Sequence, residues 1–195
     1  MGNTFEPEDA FLIYWKCMMS DGSTKLKRYV AFLRGINVGG NTLLPMNELR
    51  GLCYQLGLKE VSTYIQSGNV IFESGLSETT VIHKLEQALL TKRKKRIPVM
   101  LRTIEDLQKI LTRNPFPKAD PRQVGVMFFA EPLPKDFSSG ISTPGQEEVI
   151  LSSREAYIHY PDGMGRSKLK LPKVSEEGTV RNINTISKIL GIAAE

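Results

Sequence analysis

Apolar positions along this chain change their period several times. Residues 29–33, Tyr-Val-Ala-Phe-Leu, form an unbroken apolar run rich in aromatic and β-branched side chains, the pattern of a buried strand. From Pro45 to Leu56 the period lengthens to that of a helix, with Met46, Leu49, Leu52, Cys53 and Leu56 on one face. Pro45 suits the first turn of that helix and Gly57 its stop. Glu60–Gln66 and Val70–Phe72 read as two strands joined by the tight connection Ser67-Gly68-Asn69. Ser77 is placed to cap a helix whose apolar face is Val81, Ile82, Leu85, Ala88 and Leu89. Ile97–Leu101 is strand-like again. The order β-α-β-β-α-β over residues 28–102 predicts a ferredoxin-like unit, an antiparallel four-stranded sheet burying two helices on one face.

Residues 103–195 read as α-β-β-β-α, a second and smaller α+β subdomain. Thr103 to Asp106 fits a capping pattern ahead of Leu107, Ile110 and Leu111, and Asn114-Pro-Phe-Pro ends that helix. Val124–Phe129, Glu148–Leu151 and Tyr157–Tyr160 are the expected strands, with surface loop over 131–146 and basic loop over 163–172. Thr179 is the expected cap of a last helix that turns Val180, Ile183, Ile186, Ile189 and Leu190 inward. A degenerate repeat of the first subdomain is one reading of this half, although no residue-level repeat is visible. Residues 1–27 stand apart. Their short apolar run Phe11–Trp15 follows acids, the wrong flank for a secretory signal. They read as a poorly ordered extension, either a tail that packs its aromatics on the body or a gene-model artefact preceding a start at Met18 or Met19.

Composition narrows the function classes. The chain has 195 residues, 41% hydrophobic and 24% charged, ordinary for a soluble globular protein. No apolar run approaches membrane-spanning length. Two cysteines and two histidines without ligand spacing argue against a metal centre, a disulfide framework or any cofactor bound through them, and for a cytoplasmic location. Net charge is +5. Residues 1–24 hold four acids against one lysine, −3, which leaves +8 on the body and favours anionic partners.

Three stretches carry candidate chemistry. The first is Arg34-Gly-Ile-Asn-Val-Gly-Gly40, a glycine-rich loop between strand and helix. Its backbone N–H groups, with Arg34 and Asn37, suit a phosphate or carboxylate, although the spacing is neither that of a P-loop nor that of a dinucleotide fold. A tight turn alone would also require Gly39 and Gly40. The second is Gln66-Ser-Gly-Asn69, where turn geometry explains Gly68 and Asn69, and Gln66 and Ser67 remain as polar contacts. The third is Arg166-Ser-Lys168 in the basic loop, with Arg181 and Asn182 nearby. Arg181 is expected in the first turn of the final helix, where a cation opposes the helix dipole and so calls for an anion. Lys92–Arg96 reads as a solvated helix end. His83 reads as a boundary side chain, Cys53 as packing, and His159 lacks a neighbouring nucleophile or carboxylate in the sequence.

The runs Arg34–Gly40, Tyr64-Ile-Gln-Ser-Gly-Asn-Val70, Asp162-Gly-Met-Gly-Arg-Ser-Lys-Leu169 and Thr179-Val-Arg-Asn-Ile-Asn-Thr185 resemble the signatures of domain of unknown function 1697. The resemblance spans about residues 28–191. It implies an α+β fold with ferredoxin-like subdomains and brings no activity with it. The family usually carries Trp in the last motif where this chain has Ile183, and the N-terminal extension lies outside its pattern.

The resulting expectation is a groove between two subdomains that takes a small phosphorylated or otherwise anionic ligand on Arg34, Asn37, Gly39, Gly40, Gln66, Ser67, Arg166, Ser167, Lys168, Arg181 and Asn182. The alternatives are a nucleic-acid-binding module, disfavoured because the RNA-recognition signature is missing, and a homodimeric interaction protein. Whether the chain is an enzyme stays open.

Overall fold

The structure, a computed structural model, describes residues 25–37 and 43–194. Nearly all of the 1–27 extension, and both Gly39 and Gly40, fall outside the described residues.

In the first half, β1 (Lys27–Leu33), β2 (Lys59–Tyr64), β3 (Asn69–Ser74) and β4 (Val99–Thr103) form an antiparallel sheet in the order β2-β3-β1-β4. Helices α1 (Met46–Gln55) and α2 (Glu78–Arg93) cover one face. This is the expected ferredoxin-like unit. Strand alternation divides β1 cleanly. Tyr29, Ala31 and Leu33 pack with α1 and α2, while Val30 and Phe32 point into a second core. Ser77 caps α2 by accepting from the Thr80 N–H at 3.2 Å.

Helix α3 (Ile104–Thr112) follows β4 directly. It opens on a complete capping box in which the Asp106 N–H donates to Thr103 Oγ1 (3.1 Å) and the Thr103 N–H to Asp106 Oδ2 (3.2 Å). The second sheet comprises β5 (Val124–Phe128), β6 (Glu148–Leu151), β7 (Glu155–His159) and β8 (Thr179–Asn182), in the order β6-β7-β5-β8. Helix α4 (Ile183–Ala193) ends the fold. Two expectations are corrected here. The stretch at 179–182 is a fourth strand, and Asn182, not Thr179, caps the last helix by accepting the Thr185 N–H at 2.8 Å. The β-branched Thr179 and Val180 favour extended backbone, and pairing with β5 holds it.

With β8 in place, the second sheet has the strand order of the first, and a residue-level repeat emerges. Arg102 pairs with Val30 as Arg181 pairs with Val126. Asn69 pairs with Phe32 as Glu155 pairs with Phe128. Beyond the arginines, Thr103-Ile104 corresponds to Asn182-Ile183, and Lys109-Ile110-Leu111 to Lys188-Ile189-Leu190. The repeated unit therefore runs from β1 through α3 and again from β5 through α4. Loops with short 3-10 helices stand where α1 and α2 would fall in the second copy.

The copies join face to face in a shared core. Phe32 and Phe128 stack with ring centres 4.4 Å apart. Arg102 lies 5.5 Å over the Phe128 ring, and Arg181 lies 5.6 Å over Phe32. Each contact has its counterpart from the other side, the pattern of a two-fold interface within one chain. Leu107, Ile110, Ile186 and Ile189 flank the stack. No helix among the described residues is long and apolar enough to cross a membrane.

Candidate functional site

Part of the expected site converges, but as a joint. Arg181 is buried and uses every donor of its guanidinium. Nε donates to Asn69 Oδ1 (2.5 Å), Nη1 to Thr179 Oγ1 (2.7 Å) and the Val180 carbonyl (2.8 Å), and Nη2 to the carbonyls of Leu33 (3.0 Å) and Ser67 (2.7 Å). Burial pushes its pKa down to about 10. With five donors engaged, Arg181 has none left for a ligand. The dipole argument also lapses, because Arg181 sits on a strand. Asn182 is committed to the cap.

Asn37 closes the ends of its loop. Its Nδ2 donates to the carbonyls of Gln66 (2.6 Å) and Leu44 (3.1 Å), and its Oδ1 accepts the Leu44 N–H (2.7 Å). Ser67 Oγ accepts from Asn69 Nδ2 at 3.1 Å. Gly68, at φ +75°, lies so close to β1 that a Cβ would sit 2.6 Å from Ile36 and 2.9 Å from Leu33. Arg34 donates through Nε to the Gly178 carbonyl at 3.0 Å. These residues fasten the exit of β1 to the second half.

Arg166, Ser167 and Lys168 lie elsewhere, along a cavity of about 200 Å³ lined by neither Arg34 nor Arg181. Among the described residues the Arg166 and Lys168 side chains have no ion-pair partner, and the anion held there by Ser167 and the Lys168 N–H is the protein's own Glu147. Its Oε1 accepts from Ser167 Oγ (2.6 Å) and the Lys168 N–H (3.1 Å), and its Oε2 from the Gly145 N–H (3.1 Å). The Ser167 hydroxyl leads the hydrogen bonds that hold this carboxyl below the usual range.

A cleft between the halves has the character that the sequence placed elsewhere. Asp106, Lys109 and Ile110 on α3 and Arg113 at its C-cap recur at helical spacing on one face. Across from them runs the β6–β7 turn with Ser152, Ser153 and Arg154. The cavity between holds about 180 Å³. Tyr157 pins the two walls together, its hydroxyl donating to the Ile110 carbonyl at 3.0 Å, and burial raises its pKa to about 12.

The buried Arg102 also lines the cleft. Its Nε donates to Glu155 at 2.7 Å, and Nη2 to the carbonyls of Phe129 (2.8 Å) and Arg154 (2.9 Å). Of the two acids of the cleft, Glu155 is ion-paired with Arg102, and Asp106 accepts the Thr103 N–H of the capping box with no ion-pair partner among the described residues. Arg154 pairs with Glu78. Lys109 and Arg113 have no ion-pair partner among the described residues. Sequence reasoning missed this pair because an exposed lysine and arginine near a helix end look like solvated surface. The visible signal was their four-residue spacing, which puts both on one face.

His159 does have a carboxylate neighbour, which pairing across β6 and β7 supplies. Nδ1 lies 3.4 Å from Glu148 Oε1, and the imidazole ring tilts against Phe116 at 5.4 Å. Among the described residues no group of three or more His, Cys, Asp or Glu gathers to hold a metal.

Comparison with known proteins follows the fold. The family described as protein of unknown function (DUF1697) matches residues 26–157. A solved structure, described as the conserved bacterial protein SP0830 from Streptococcus pneumoniae, is similar over 86% of this chain and 98% of its own. Its identity is 25% and the TM-score 0.72. No curated protein matches. The cleft residues from Arg102 to Tyr157 all lie inside the matched span, whereas Arg166 and Arg181 lie beyond it.

Proposed function

The chain belongs to the family of proteins of unknown function (DUF1697), and from that premise we propose that it binds a small phosphorylated or otherwise anionic molecule in the cleft between its halves. The observation that carries the reading is the pair Lys109 and Arg113. Two cations one helical turn apart, neither held in an ion pair among the described residues, share a cavity with the hydroxyl-bearing Ser152 and Ser153. Charge-assisted bonds from such a set suit phosphate or carboxylate oxygens. The volume, about 180 Å³, fits a compact anion and is below the usual range for nucleotide-sized ligands. We place the protein in the cytoplasm, supported by the unpaired thiol of the buried Cys53.

The test is thermal unfolding with inorganic phosphate and a panel of small phosphate monoesters. A ligand at a hundred times its Kd adds about 2.7 kcal/mol, a rise of roughly 5–10 °C for a chain of this size. The K109A/R113A variant should lose that rise, and R166A should keep it. Stabilisation surviving in K109A/R113A but lost in R166A would move the site to the basic loop. No stabilisation of the parent by any anion would end the reading.

A further inference from the structure

A second cavity between the halves has the opposite character. It holds about 220 Å³, and Pro98, Phe129, Pro132, Leu133, Pro134 and Val174 line it. Four charged side chains share the lining, Glu86, Glu131, Glu177 and Arg96. Arg96 neutralises Glu177 at 2.6 Å. Glu86 accepts the Val99 N–H through Oε1 at 3.0 Å, and Glu131 has no hydrogen-bond or ion-pair partner among the described residues. Two carboxylates without an ion pair among the described residues therefore stand beside an apolar cavity.

We infer that this cavity is a binding site for a small amine carried on a single ring or a short branched hydrocarbon. A dry cavity of about 150 Å³ is enough for benzene, so the space here takes a ring with a short arm. The wall is preformed. Phe129 is buried and braced edge-on by Phe137 at 5.6 Å, and the three prolines fix the backbone around it. A preformed wall spares the ligand the entropy of ordering one. The carboxylates select a cation and repel an anion. This site is distinct from the basic cleft, shares no lining residue with it, and stands or falls separately.

Benzylamine, benzyl alcohol and benzoate, titrated at millimolar concentration against the full chain with methyl resonances of Leu133 and Val174 as reporters, test the assignment. Benzylamine should shift both in a saturable way, bind about threefold more tightly than the alcohol, the size of an exposed ion pair, and leave Ile186 unmoved. E131Q should reduce the preference for amine over alcohol while leaving the urea midpoint in place. V174W should block binding of both. Equal affinity for amine and alcohol in the parent, unmoved Leu133 and Val174 methyls, or amine binding undiminished in V174W would each overturn the proposal.

Discussion

Arg181 and Arg102 occupy equivalent positions and solve the same difficulty differently. A buried guanidinium must be compensated where it sits. Arg102 has the carboxylate of Glu155, while Arg181 has only the Asn69 amide, a hydroxyl, three carbonyls and the Phe32 ring. Removing Arg181 leaves the Leu33 and Ser67 carbonyls and the Asn69 amide oxygen without their donor. R181M is therefore expected to lose about 3–5 kcal/mol in chemical denaturation, the cost of breaking a buried polar network. Lysine is a poor rescue, because one ammonium cannot reproduce five donors in a planar fork. A ligand-binding role would instead leave apo stability nearly unchanged in either variant.

The elements of the first half were legible because each has a single strong period. The unbroken apolar run of β1, the stripes of α1 and α2, and the Ser77 and Thr103 caps all appear where the pattern puts them. β8 was hidden for a physical reason. Four residues are too short to show alternation, and Thr179-Val-Arg-Asn runs straight into the apolar stripe of α4, so one helix seemed to cover both. That single misreading moved Arg181 onto a helix and made Asn182 look like a ligand. The distinction is measurable. N182A should cost about 1 kcal/mol, typical of a lost N-cap, and N182D should keep nearly full stability. Loss on both substitutions, together with weaker phosphate binding, would restore the ligand role.

At the scale of the molecule, the repeat could not be read from the chain. Its conserved spacing lies in strand pairing, and the second copy replaces two helices with loops. Only once β8 exists do Arg102 and Arg181, or Phe32 and Phe128, become counterparts. The sequence led to a basic groove between the halves, and the basic cavity along α3 is lined by residues other than those it singled out. Net positive charge and two subdomains pointed to a basic groove between halves. Yet the conspicuous arginine at 181 serves the joint, and the conspicuous donors at 167 and 168 serve Glu147. Lys109 and Arg113, which have no ion-pair partner among the described residues, lie outside the motifs that drew attention.

The outer face of the second sheet is roofed by irregular chain, where the first sheet has two helices. Phe137 and Ile141 from one loop and Leu169 and Leu171 from another lie over Met127, Ala156 and Ile158, and among the described residues these loops are tied by strand pairing at the bridge between Ser142 and Lys170 alone. Such a roof carries few backbone bonds that must break together, so it can lift without the sheet beneath it dissolving. Deuterium uptake should therefore run fast across 130–147 and 161–178 while the amides of α1 and α2 resist, dividing two equivalent layers of one architecture into a labile side and a durable one. Uniform protection of both layers would mean that the side chains, not the backbone ladder, hold the roof shut.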